Sequence, residues 1–152
     1  MVRNILISLV ISLFYGCAAM GHISTSDPRE KLIQACGLLY AEVRPYPAKR
    51  IIKEAIEICK ETNDTPCLAQ AYLIFGSYNR AIDALPGILT QYKRWGREEK
   101  VAEYNNREKI AKKYFQKAEE LANGNPELME KIDLARNTAV NKLGKAAEKF
   151  CF

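Results

Sequence analysis

Histidine is almost missing from this chain: His22 is the only one among 152 residues. That excludes any zinc site built on two or three histidines of one chain, and it leaves a serine or cysteine nucleophile with no histidine base but His22. Glycine is sparse, and none of the eight glycines opens the G-K-S or G-K-T step of a phosphate cradle. C-x-x-C spacing is absent, so neither a thiol redox motif nor a zinc ribbon is indicated. No stretch alternates with period two for long enough to argue a sheet. Only one long apolar run exists, Ile5 to Tyr15, and it falls short of the roughly 20 residues that cross a bilayer. What remains is 48% hydrophobic and 27% charged, which excludes disordered and collagenous chains and fits one packed domain.

The apolar run sits behind a single charge, Arg3, and these are the proportions of a secretory signal. Its end, Phe14-Tyr15-Gly16-Cys17, resembles a bacterial lipobox, in which a small residue precedes the cysteine that receives lipid. The resemblance implies a signal over 1–16, a lipidated Cys17 and a polar tether to residue 26, with a helical domain over 27–152. Ordinary secretory cleavage near Ala18-Ala19 is the competing reading. Ala18, where an aspartate would resemble an inner-membrane retention signal, implies the periplasmic face of an outer membrane. Several acyl chains at ~0.8 kcal/mol per buried methylene hold a protein on a membrane durably.

Removing 1–16 leaves Cys36, Cys59, Cys67 and Cys151 beside Cys17. In an oxidising compartment these four can pair in three ways. Cys59 and Cys67 flank a turn centred near Asn63-Asp64, so a bridge between them is expected across two antiparallel helices. Cys36 and Cys151 can pair only if the first and last helices touch.

Prolines punctuate the rest. Pro28, Pro47, Pro66, Pro86 and Pro126 fall at steps of 19, 19, 20 and 40 residues, and proline belongs at the start of a helix. Asp27, Thr65 and Asn125 are suitable N-caps, Asp27 with Glu30 makes a capping box, and Asn105-Asn106 supplies the missing break. The pattern predicts six helices in an all-α domain. Leu32, Cys36, Leu39 and Val43 share one stripe, as do Leu128, Ile132, Ala135, Ala139, Leu143, Ala146 and Phe150. A period near 40 residues, one helix pair per step, marks an α-solenoid.

Ala48-x3-Ile52-x2-Ala55 followed by Glu57 to Asp64 resembles the second helix and exit turn of a tetratricopeptide repeat. Leu68 to Tyr78 is similar to a first helix, with Gly76 allowing close helix approach, and Ala111-x3-Phe115-x2-Ala118 is similar to another second helix. Counting back places Trp95 where a first helix carries its tryptophan. The likeness spans about residues 30–125 and implies antiparallel helix pairs whose first helices line a binding face. With Gly76 and Trp95 as fixed points, that face falls on Gln70, Leu73, Ser77 and Arg80, then on Lys93, Arg97, Lys100 and Tyr104.

Charge supports the second set. Residues 93–117 carry nine basic and four acidic side chains, whereas 17–92 carry eight of each and the last 35 residues come to −1. Glutamate pairs such as Glu98-Glu99 and Glu119-Glu120 are adjacent on helices and do not face one another, so they read as solvated faces, not as acid/base pairs. The expectation is a protein that is no enzyme, with no cofactor, metal, nucleic acid or small-molecule substrate. It is a lipid-anchored adaptor that binds another envelope protein or an acidic peptide segment, as tetratricopeptide lipoproteins resembling secretin pilotins and outer-membrane assembly factors do. The alternative is a structural envelope lipoprotein whose basic face contacts anionic lipid or cell-wall polymer.

Overall fold

The computed structural model describes residues 25–85 and 87–152. The signal, the lipobox cysteine Cys17 and most of the tether lie outside the described residues. Among the described residues the chain is all-helical, with eight α-helices. They are α1 (Pro28–Cys36), α2 (Pro45–Glu61), α3 (Thr65–Ala81), α4 (Ile88–Arg94), α5 (Glu98–Asn105), α6 (Arg107–Leu121), α7 (Pro126–Asn137) and α8 (Leu143–Cys151).

Helix starts follow capping chemistry. The Asp27 carboxylate accepts from the Arg29 N–H at 2.8 Å, and Asn125 caps α7 by accepting from the Leu128 N–H at 3.1 Å. The expected capping box closes differently, because Glu30 accepts from the Thr25 hydroxyl at 2.6 Å instead of reaching Asp27. Asp64, not Thr65, caps α3, accepting from the Cys67 N–H at 3.0 Å, and α2 begins at Pro45, two residues before Pro47.

Six expected helices become eight because two breaks carry no proline. Gly96 turns the chain at φ +61° and separates α4 from α5, which leaves Trp95 past the end of α4, outside any helix interior. Thr138 and Ala139 are extended and split the final stripe into α7 and α8. The break at Asn105-Asn106 falls where the sequence places it.

Packing centres on α3. Every residue from Ala71 to Asn79 is buried, so this helix is covered all round, as its unbroken apolar run Tyr72-Leu73-Ile74-Phe75 requires. Helix α6 lies closest to it, and α2, α7 and α8 also pack on it. The Gly76–Phe115 approach sets the α3–α6 distance: a Cβ on Gly76 would stand 2.9 Å from the Phe115 ring.

Two disulfides fasten the structure. Cys59–Cys67 spans the α2–α3 turn with Cα atoms 5.7 Å apart, the bridge expected across that turn. Cys36–Cys151 joins α1 to α8 across 115 residues. The first and last helices therefore touch, and the array closes around α3 where an open stack would leave its ends apart. No helix among the described residues is long and apolar enough to cross a membrane.

Candidate functional site

The eight residues expected to line one face fall in several places. Leu73 and Ser77 are fully buried inside the bundle. Gln70 donates its amide to the Phe150 carbonyl at 2.9 Å, tying α3 to α8. Arg80 donates one guanidinium nitrogen to the Ala135 carbonyl at 2.6 Å and borders an open groove. Of the first set, Arg80 borders the groove between α3, α6 and α7, and Gln70 borders a separate depression of about 320 Å³ beside Ile33 and Leu128.

The second set divides in the same way. Lys93 and Arg97 are exposed, form no ion pair with any described residue, and border a shallow depression with Val101 and Ala102. Lys100 contacts Glu103 at 3.4 Å, and Glu103 also accepts from Lys49 of α2. Burial pushes the Glu103 carboxyl up, but Lys49 and Lys100 outweigh it and hold the carboxyl below its ordinary value. Tyr104 donates its hydroxyl to Asp83 at 3.1 Å while the Arg107 guanidinium lies 4.4 Å over its ring and bonds the same carboxylate at 2.6 Å. Glu103 and Tyr104 thus dock α5 onto the bundle, with Lys100 pairing to Glu103 within α5.

A groove of about 460 Å³ runs between α3, α6 and α7. Phe115 and Ala111 form its floor, seated there by the missing side chain at Gly76. Arg80, Lys112 and Arg136 supply its positive charge, and Glu108 and Glu119 its negative charge. Arg136 binds Glu119 at 2.6 Å and lies 5.8 Å over the Phe115 ring, so its charge is compensated and its plane extends the aromatic floor. The Glu119 carboxylate, with Asp133 beyond it, raises the Arg136 guanidinium above its ordinary value. Lys112 is exposed and forms no ion pair with any described residue, leaving it, beside Arg80, to meet an incoming carboxylate.

No protein-family model matches the chain, and neither a curated protein sequence nor a solved structure matches it.

Sequence reasoning missed Lys112 and Arg136. Lys112 lies in the basic stretch 93–117 and was countable there, but its face of α6 depended on where that helix begins. Arg136 had no signal, because it belongs to a segment of slightly negative net charge and enters the groove only through the turn that sends α7 back across α3.

Proposed function

We propose that this chain is a non-enzymatic, lipid-anchored adaptor of the bacterial envelope, held through Cys17 at the periplasmic face of an outer membrane. It takes an acidic, partly aromatic segment of another envelope protein into the α3–α6–α7 groove. The observation that carries this reading is the convergence of Arg80, Lys112 and Arg136 around a Phe115 floor in one groove of about 460 Å³. An apolar or aromatic side chain would lie on Phe115 and Ala111, and a neighbouring carboxylate would bridge Lys112 and Arg80. Arginine offers a planar fork for such a carboxylate.

The tetratricopeptide-like reading belongs to this proposal in a modified form. Helix α3 plays the first helix and α6 the second, paired through Gly76 and Phe115, and α4–α5 is an insertion between them. This assignment accounts for two successive segments that both resemble first helices in the sequence.

A labelled peptide of alternating glutamate and phenylalanine, titrated against the full chain, tests the groove. Lys112→Glu with Arg80→Gln should weaken binding at least tenfold with an unchanged helical signal, and added salt should weaken the parent complex. If Arg97→Glu with Lys100→Glu removes binding and the groove pair does not, the acidic segment sits on α4–α5 and the groove assignment fails.

A further inference from the structure

We propose that Val43, Tyr46 and Trp95 form a patch that seats the domain on the headgroup region of an anionic lipid bilayer. Five large hydrophobic side chains are exposed among the described residues, and these are three of them, at 56%, 44% and 58%.

Their gathering has a backbone cause. A wide turn over Gly37–Ala41, in which the Glu42 N–H bonds back five residues to Gly37, ends the first helical segment. The chain then passes through Val43 at φ +54°, a left-handed conformation that β-branched residues rarely hold. This left-handed residue closes the helix end, letting the Arg44 N–H bond back to the Leu38 carbonyl at 2.7 Å, and it leaves the Val43 side chain exposed.

Tyr46 follows in the first turn of α2 and meets Tyr92 of α4 edge-on at 5.9 Å. Val43 and Tyr46 border a depression of about 380 Å³ whose opposite wall includes Leu85 and Ile88. Trp95 lies one turn beyond Tyr92, on the side of α4 that carries Ile88 and Tyr92, at the corner made by Gly96. Tyr46 and Trp95 are thus both neighbours of Tyr92, one across the α2–α4 contact and the other one helical turn on.

Charge around the patch selects the occupant. Among the described residues, Lys93, Arg94 and Arg97 flank Trp95 and form no ion pair, and Arg44 adds a fourth cation, paired with exposed Glu42 at 3.2 Å. Glu98 and Glu99 oppose them from the first turn of α5, where the helix dipole favours carboxylates. The excess is thus positive by one charge, four cations against three carboxylates, and the apolar contact leads. Tryptophan and tyrosine favour the headgroup level of a bilayer, lysine and arginine extend beside them to anionic phosphates, and a negative surface attracts such cations. This patch shares no residue with the α3–α6–α7 groove and stands or falls independently of it.

Trp95 is the only tryptophan, so its fluorescence reports on this patch directly. The full chain would be mixed with vesicles of phosphatidylcholine alone or of phosphatidylcholine with phosphatidylglycerol. The apolar N-terminal run can hold the chain on either vesicle, which makes co-sedimentation uninformative and the Trp95 signal decisive. With phosphatidylglycerol present, Trp95 emission should move to shorter wavelength and acrylamide quenching should fall severalfold. Arg94→Glu with Arg97→Glu should raise the lipid needed about tenfold or more, and Tyr46→Ser should reduce the protection, both with unchanged circular dichroism. Unaltered emission while the chain co-sediments with anionic vesicles would overturn the proposal. So would an equal shift on phosphatidylcholine alone, or a shift produced by an acidic peptide and not by vesicles.

Discussion

Gly76 acts through what it lacks. A methyl group there would press on three atoms of the Phe115 ring at 2.9 to 3.2 Å, and that ring is walled by α3, α6 and the Arg136 guanidinium. Gly76→Ala should therefore destabilise the domain by roughly 1–2 kcal/mol, with overpacking outweighing alanine's better helix propensity. Denaturant melts would show it, and adding Phe115→Leu should recover part of the loss. Glu103 works through charge. Lys49 and Lys100 depress its proton affinity below the unfolded value, so its stabilisation is complete above about pH 4.3 and is lost as the pH falls through the lower folded value. Glu103→Gln should flatten that acid-side slope and leave Lys49 half-buried without its carboxylate, costing about 1–3 kcal/mol in thermal melts at neutral pH. The close approach at Gly76 was legible, because a glycine inside an apolar helical run implies a neighbour that comes near. The Lys49–Glu103 pair was not, since these residues lie 54 positions apart and no local pattern joins them.

At the scale of elements, the sequence is most readable where a helix start has its own chemistry. Asp27, Asn125 and the Asn105-Asn106 break act locally, and the chain folds there as their side chains dictate. Gly96 and Thr138-Ala139 break helices without a proline or a cap to announce them, and α4 and α8 are short because of them. The four buried cysteines show the same division. Cys59 and Cys67 are separated by 8 residues and their pairing follows from one turn, whereas Cys36 and Cys151 meet only once the whole bundle has closed. The chain-entropy relation gives about 2.5 kcal/mol for the short loop and about 5 kcal/mol for the 115-residue loop. Replacing Cys36 and Cys151 by alanine should thus lower stability about twice as much as replacing Cys59 and Cys67. Hydrogen exchange in the former variant should rise first in α8.

Across the whole molecule, burial of α3 and closure of α1 onto α8 produce a rigid body with two unlike surfaces. One holds the Phe115 groove with Lys112 and Arg80 at its mouth, and the other holds Val43, Tyr46 and Trp95. An anchored adaptor needs both: a face toward the bilayer that fixes its orientation, and a face that accepts a partner. The proposal as a whole is a doubly bridged helical domain that hangs from a lipid on Cys17. Intact mass spectrometry, without reduction, of protein extracted from its source cells decides this. One species is expected, beginning at Cys17, carrying added lipid mass and four hydrogens lighter than the reduced chain, as two disulfides require. A species that keeps Met1, or that begins unmodified at Met20 or Gly21, or that gains mass on alkylation before reduction, would contradict it.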